Sequence, residues 1–217
     1  MKKIMLALLM VMLCCGCVKT TDAMKFKKEY ESLNGQANDA GVLHKEITIP
    51  EENPMVYATQ EEVMEMLENG TGIIYFGFPE CPWCRAALPV LLEAAEEELM
   101  TKILYYNNKD QRDTRELLET GGNQITKEGT SGYYAILNAL GEFASAYDGM
   151  NDETIKRLYY PTVVFVYEGE IVGLQESLSS EEGVDPRQDL TTDQWNALKK
   201  IYKEYMKDVK GACDSSC

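Results

Sequence analysis

The sequence is poor in histidine and in basic residues. Its 217 residues include one histidine, His44, and 21 lysines and arginines against 36 aspartates and glutamates. A structural zinc site takes four ligands, and His44 is far in sequence from the cysteines, so we expect no metal site. The net charge of −15 repels phosphate backbones and anionic lipid surfaces. We therefore expect no nucleic-acid partner.

The apolar run near the N-terminus is short. It extends from Ile4 to Leu13, follows two lysines and ends in small residues, which is typical of a signal peptide over residues 1–16 and too short for a membrane-spanning helix. The junction of Gly16 and Cys17 resembles the bacterial lipobox, although Cys14 stands where the lipobox normally carries leucine. We expect lipidation of Cys17. Cleavage nearby without a lipid is the alternative.

The segment 17–42 has few large apolar residues and weak periodicity, so it is predicted as a lipidated tether, with a short helix over 25–33 as an option. Residues 43–210 are long enough for one domain with a real core, and 211–217 form a tail. This organisation predicts a protein anchored to the outer face of a bacterial cell membrane.

Few cysteines remain after the signal segment. Seven occur in the chain, and the four beyond Cys17 form two close pairs: Cys81 with Cys84, and Cys213 with Cys217. Neither pair bridges distant parts of the chain, which excludes a disulfide framework as the source of stability. Cys213 and Cys217 are either a second dithiol that exchanges with the first pair, or a passive terminal disulfide or free thiols.

The N-terminal half of the domain alternates strands and helices. The predicted elements are a strand over 44–50, a helix over 57–70, a buried strand over 72–78, a helix over 81–99 and a buried strand over 102–108. Thr59 and Glu62 have the spacing of a capping box at the start of the first helix.

The C-terminal half continues with a polar segment and a hairpin. The predicted elements are helices over 113–120, 133–147 and 152–158, a hairpin over 160–173 and a helix over 191–209. Glu168 and Gly169 form the hairpin turn. The whole pattern predicts an α/β fold with a mixed sheet and helices on both faces. A helical insertion over 109–158 separates a βαβ half from a ββα half.

Cys81 lies where the buried strand 72–78 gives way to a helix. Pro82 suits the first helical turn, because its missing N–H would be unpaired there in any residue. A thiolate at Cys81 would face unpaired backbone N–H groups and the positive end of the helix dipole, which lower its pKa and make it a nucleophile. Cys84, one turn further and more buried, is placed to attack a mixed disulfide at Cys81. A purely structural local disulfide is the alternative.

Four features together resemble the thioredoxin superfamily over residues 55–209. They are the sequence CPWC after a strand, Pro89 five residues after the second cysteine, a Tyr160–Pro161 step followed by a hairpin with Gly169, and a final amphipathic helix. The resemblance implies a thioredoxin-like fold in which Pro161 is cis and lies beside the cysteines, and in which the backbone of Tyr160 binds an extended substrate. Among such proteins, the chain resembles extracytoplasmic lipoproteins of Gram-positive bacteria and bacteriocin-transport accessory proteins.

The sequence departs from this family beside the cysteines. Tyr75 occupies the position of a buried aspartate that accepts the proton of the second cysteine in thioredoxins. Glu80 precedes the first cysteine where thioredoxins have tryptophan, and its charge opposes a low pKa at Cys81. Trp83 lies between the cysteines, where we expect an exposed side chain that contacts a protein substrate.

The sequence thus predicts a membrane-tethered thiol–disulfide oxidoreductase that needs no cofactor. Its partners would be protein or peptide thiols and disulfides, together with a membrane or extracytoplasmic electron donor or acceptor. The alternative is an accessory or binding lipoprotein for a transporter or a secreted peptide, in which Cys81 and Cys84 are dispensable.

Overall fold

The computed structural model describes residues 21–180 and 183–211. Within these residues, α-helices pack on both faces of a mixed sheet. The helices and strands, in chain order, are α1 (Asp22–Glu31), β1 (Met55–Tyr57), α2 (Gln60–Asn69), β2 (Gly72–Phe76), α3 (Pro82–Glu97), β3 (Ile103–Tyr106), β4 (Thr114–Leu117), β5 (Asn123–Lys127), α4 (Ser131–Leu140), β6 (Ser145–Ala146), β7 (Lys156–Arg157), β8 (Thr162–Tyr167), β9 (Glu170–Glu176) and α5 (Thr192–Val209). The mixed α/β architecture predicted from the sequence is confirmed.

The central sheet has the strand order β1-β3-β2-β8-β9. Strands β1, β3 and β2 are parallel, whereas β8 pairs antiparallel with β2, and β9 pairs antiparallel with β8. Because β2 and β3 are parallel neighbours, their carboxyl ends lie at the same edge of the sheet. The loop that carries Cys81 leaves β2 at that edge.

Strand β2 contributes side chains to two hydrophobic cores. Ile73 and Tyr75 pack with α1, α3 and α5, whereas Ile74 and Phe76 pack with α2 and α4. This alternation follows from the two-residue period of a strand, whose successive side chains point to opposite faces. The apolar character of both faces, which predicted a buried central strand, is therefore explained by helices on each side.

The prediction of a tether over 17–42 is wrong for the residues of α1, which belong to the folded domain. Phe26 and Tyr30 lie one turn apart on one face of this otherwise polar helix, and both are fully buried against Tyr75 and Tyr105 of the sheet. Two aromatic side chains in one stripe bury enough apolar surface to fix a short helix. The folded domain therefore begins with α1, rather than at residue 43.

The predicted edge strand over 44–50 is also wrong. In this stretch, the backbone N–H of Ile47 donates to the side chain of Asn34, and that of Ile49 donates to the carboxylate of Glu31. These side chains, within or just after α1, take the place of a strand partner. The edge strands of the sheet are β1 and β9 instead.

The segment between β3 and β8 is not the helical insertion predicted over 109–158. The stretch 113–120, predicted as a helix, contains strand β4, which pairs with β5 in a hairpin that turns through Gly121 and Gly122 at positive φ. In place of the predicted helix 133–147, the structure has the shorter helix α4. The stretch 152–158, also predicted as a helix, forms turns and strand β7. Two adjacent glycines favour a tight reversal, and the strand pairing that it permits overrides the helix propensity of the preceding residues.

Several predicted local signals are confirmed. The predicted capping box of Thr59 with Glu62 begins α2, and a second capping box, of Thr191 with Gln194, begins α5. Gly169 has a φ of +81° in the β8–β9 turn, and a Cβ there would lie 2.3 Å from the carbonyl oxygen of Glu68, so only glycine fits. The predictions for residues 1–16, Cys17, Cys213 and Cys217 lie outside the described residues.

Candidate active site

Cys81 is the N-cap residue of α3. Its Sγ accepts a hydrogen bond of 3.1 Å from the backbone N–H of Cys84, and Pro82 occupies the first helical turn. The sulfur therefore pairs with one of the first-turn N–H groups that a helix leaves unsatisfied, a role that serine or aspartate plays in most helices. A negative charge on this sulfur is stabilised by the N-terminus of α3.

The surroundings of Cys81 lower its pKa. The largest contribution is a hydrogen bond from the Cys84 thiol; burial acts in the opposite direction, and the backbone N–H groups of Cys84 and Trp83 and the nearby charge of Arg112 lower the pKa further. The side chain remains 6% exposed. Cys81 thus combines a stabilised thiolate with some access to solvent, which are the properties of a nucleophilic cysteine.

Cys84 has the opposite character. It is fully buried, and burial is the main cause of a pKa raised well above that of a free cysteine, followed by its hydrogen bond to Cys81 and the charge of that sulfur. The Tyr75 hydroxyl and the backbone of Phe78 act against this increase. The two free thiols therefore differ as an attacking and a resolving cysteine would.

The Tyr160–Pro161 loop meets Cys81 from the other side. The peptide bond before Pro161 is cis, as the resemblance implied, and the carbonyl oxygen of Tyr160 lies 3.5 Å from Cys81 Sγ. The Tyr160 hydroxyl donates a hydrogen bond of 2.6 Å to the side chain of Asn108. The structure thus brings Cys81, Cys84, Tyr160 and Pro161 together, as the sequence predicted.

The remaining predicted site residues differ in how deeply they are buried. Trp83 is half-buried and touches both hydrophobic cores, so the expectation of an exposed side chain is wrong. Pro89 lies inside α3, and Tyr75 is fully buried in β2. Glu80 is exposed and forms a 2.6 Å ion pair with Lys109. Partial burial tends to raise the pKa of Glu80, but this ion pair outweighs it and the pKa is lowered.

Sequence reasoning missed the residues that follow β3. Asn108 binds the Tyr160 hydroxyl, Lys109 pairs with Glu80, and the Arg112 guanidinium carbon lies 4.5 Å from the centre of the Tyr160 ring. A signal for them was present, because β2 and β3 are both buried strands joined by a helix, and such strands are parallel and end at one edge. Polar residues just after the second strand are therefore neighbours of the cysteines.

Comparison with known proteins adds no relative. No family model, no curated protein and no solved structure matches the chain. Among residues 21–180 and 183–211, no helix is long and apolar enough to cross a membrane. The same residues contain no group of three or more side chains from His, Cys, Asp and Glu arranged to hold a metal ion.

Proposed function

We propose that this protein is a thiol–disulfide oxidoreductase of the thioredoxin superfamily. The observation that carries the proposal is the environment of Cys81, whose sulfur caps α3 and faces the carbonyl of Tyr160. A stabilised thiolate at a helix N-terminus, with a second thiol one turn away, is the arrangement that disulfide exchange requires. The strand order and the cis bond before Pro161 also support this fold assignment.

The reaction uses two sulfur displacements. The Cys81 thiolate attacks one sulfur of a substrate disulfide, a Cys81–substrate S–S bond forms, and the other substrate sulfur leaves as a thiolate that takes a proton from solvent. The Cys84 thiolate then attacks Cys81 Sγ, which forms the Cys81–Cys84 disulfide and releases the second substrate thiolate. The substrate gains two electrons and the enzyme dithiol loses them. Oxidation of a substrate runs through the same steps in reverse.

A disulfide-reduction assay tests the proposal. The domain from Thr21 to Gly211 is expected to reduce the disulfides of insulin with dithiothreitol as donor. Cys81→Ser should lose all exchange, because the remaining thiol, Cys84, is fully buried and has a raised pKa. With dithiothreitol left out, Cys84→Ser should accumulate a mixed disulfide with the substrate that survives acid quenching and is visible by mass spectrometry. Equal amounts of mixed disulfide in the two variants would contradict these roles, and the alternative function as a binding protein would then explain the chain better.

We also propose that the enzyme is anchored outside the cell membrane through a lipid on Cys17. The supporting observation is the apolar run followed by Gly16 and Cys17. The full chain, expressed in a Gram-positive host with an alkyne-bearing fatty acid, should incorporate the label in the wild type. Cys17→Ala should abolish the label, and Cys213→Ala, which removes a cysteine at the other end, should retain it. Equal labelling of both variants would contradict the anchor.

A further inference from the structure

The hairpin of β4 and β5 exposes apolar side chains to solvent. Its two strands form a sheet of their own and, within the described residues, pair with no other strand. Leu117, Leu118 and Ile125 are each between 38% and 42% exposed. An isolated two-stranded hairpin is at best marginally stable in water, and open strand edges favour contact with other chains. The hairpin is therefore suited to binding another polypeptide.

A groove lies between the tip of this hairpin and the turn 150–153. It has a volume of 650 Å³, and we call it the hairpin groove. The hairpin contributes Leu117, Leu118 and Glu119 to its lining, and the turn contributes Met150 and the three residues after it. A volume of this size lies within the range of ligand-binding pockets in proteins.

The lining of the hairpin groove is acidic. It includes Glu119, Asp152 and Glu153 and, among the residues that the structure describes, no lysine or arginine. In the same part of the chain, no basic side chain forms an ion pair with these three carboxylates. Leucines beside unpaired negative charges complement a segment that carries both apolar and basic side chains.

Both sides of the hairpin groove are connected to the loop that faces Cys81. On the hairpin side, the guanidinium carbon of Arg112, just before β4, lies 4.5 Å from the centre of the Tyr160 ring. On the side of the turn, the backbone N–H of Asp148 donates a hydrogen bond of 2.7 Å to the hydroxyl of Tyr159. The groove therefore belongs to the same surface region as the candidate active site.

The distance from this loop to the hairpin groove is short enough for one bound substrate to occupy both. The chain advances five residues from Arg112 to Leu117, which is at most about 18 Å in an extended backbone. An extended substrate segment covers the same distance with about five or six residues. The part of a substrate that contacts the groove is thus close in sequence to its reacting cysteine.

We propose that the hairpin groove binds a segment of the substrate protein that carries leucine-like side chains beside lysine or arginine, about five or six residues from the reacting cysteine. The apolar side chains pack on Leu117 and Leu118, and the basic side chains pair with Glu119 and Glu153. This inference rests on the proposed oxidoreductase function and adds a substrate class to it. The disulfide exchange itself takes place at Cys81.

Binding can be measured without exchange in the double variant Cys81→Ser/Cys84→Ser. Two fluorescent peptides of equal length carry either Leu-Lys-Leu-Lys or Ser-Gln-Ser-Gln six residues from a cysteine, and fluorescence anisotropy gives their Kd. The Leu-Lys peptide should bind more tightly. Adding Leu118→Ser and Glu153→Gln, one substitution on each side of the hairpin groove, should raise its Kd about tenfold.

Leu99 and Glu96 provide the matched control. Leu99 is 83% exposed, Glu96 is exposed, and both line a different cleft. Leu99→Ser with Glu96→Gln removes the same two kinds of side chain and changes the net charge equally. This control should leave the Kd of the Leu-Lys peptide within about twofold of its original value. Equal weakening by both pairs of substitutions would assign the preference to the charge of the whole molecule and overturn the proposal.

The same substitutions in the enzyme with both cysteines test the groove during turnover. With disulfide-linked forms of the peptides, Leu118→Ser/Glu153→Gln should lower kcat/KM for the Leu-Lys peptide about tenfold, through KM, and leave the Ser-Gln peptide unaffected. Unchanged Kd and KM in this folded variant would overturn the groove alone. Failure of the wild type to reduce either peptide would overturn the oxidoreductase function and leave the groove as a peptide-binding site.

Light scattering tests the competing occupant, a second copy of the chain. The wild type should be a monomer, because the hairpin groove is assigned to the substrate. A wild-type dimer that Leu118→Ser converts to a monomer would assign the hairpin to self-association and overturn the proposal.

Discussion

The buried guanidinium of Arg85 joins helix α3, which carries the two cysteines, to the N-terminal segment. Its Nε donates to the carbonyl of Lys45 at 2.6 Å, and Nη1 donates to the carbonyls of Tyr30 and Pro79 at 2.9 and 3.2 Å. Nη2 donates to the side chain of Asn34 at 2.6 Å. Burial lowers the pKa of Arg85. One side chain therefore fixes the start of α3 against the end of α1.

Replacing this arginine should destabilise the domain. Arg85→Met keeps the length of the side chain but leaves buried carbonyls unpaired, so we expect the free energy of unfolding to fall by about 2–4 kcal/mol. Urea denaturation followed by far-UV circular dichroism measures the change. Arg187→Met, at an exposed arginine, should change it by less than about 0.5 kcal/mol. Similar losses in both variants would show that Arg85 makes no special contribution.

The charge of Arg112 should be visible in the titration of Cys81. Because this nearby cation helps to lower the pKa of Cys81, the thiolate forms at a lower pH than in a free cysteine. The rate of alkylation by iodoacetamide should therefore reach half its maximum at a lower pH than it does for cysteine in an unstructured peptide. Arg112→Gln should move this midpoint to higher pH. Arg157, whose guanidinium lies over the ring of Tyr147, provides the control variant Arg157→Gln. An alkylation midpoint that is unchanged in both variants would contradict the electrostatic role of Arg112.

At the scale of elements, α1 is part of the folded domain that carries Cys81 and Cys84. It contributes Phe26 to the core, where the ring centre lies 4.6 Å from that of Tyr30 and 4.8 Å from that of Tyr105. It also carries Glu29, which accepts a hydrogen bond of 3.3 Å from the Tyr105 hydroxyl. Removal of this helix should therefore destabilise the core that packs behind β2 and β3.

A pair of alanine substitutions on α1 tests its packing. Phe26→Ala should lower the free energy of unfolding by about 3–4 kcal/mol, because it leaves a large cavity in a closely packed core. Met24→Ala, at a side chain that is 38% exposed on the same helix, should lower it by less than about 1 kcal/mol. Urea midpoints compare the two. If Phe26→Ala is as mild as Met24→Ala, α1 does not stabilise the domain.

Elements with strong local signals could be predicted from the sequence, and others could not. The capping box at Thr59 and the alternating cores of β2 are encoded within a few neighbouring residues. The residues of β4 favour a helix and lie within the predicted helix 113–120, and only the pairing with β5 across Gly121 and Gly122 overrides that preference. Helix α1 is predicted only as an option over 25–33, because two aromatic side chains alone give a weak hydrophobic periodicity.

At the scale of the whole molecule, the candidate site combines local and distant residues. Cys81 and Cys84 are predicted from their position and spacing, and Pro161 from the resemblance to thioredoxins. The buried tyrosines Tyr30, Tyr75 and Tyr105 come from α1, β2 and β3, and no local pattern relates them. Their proximity is a product of tertiary packing, which places α1 on the same face of the sheet as α3. This part of the site could be found only in three dimensions.

The net charge of −15 should favour basic substrates. A negatively charged surface attracts cationic ligands over long range, and salt screens this attraction. Two disulfide peptides that differ only in lysines or glutamates remote from the disulfide provide the test. At about 10 mM ionic strength the lysine peptide should react about tenfold faster, and at about 0.5 M salt the ratio should approach one. A ratio near one in both conditions would contradict long-range steering.

The early start of α1 also limits how far the domain can stand from a bilayer. Only residues 18–20 separate Cys17 from Thr21, the N-cap of α1. A fully extended chain spans at most about 15 Å over that interval, which is roughly half the thickness of a bilayer core. With Cys17 acylated as proposed, the domain would be held within about 15 Å of the lipid attachment point, instead of at the end of the long tether predicted from the sequence. Its disulfide exchange would then be confined to proteins that emerge from, or lie close to, the membrane surface.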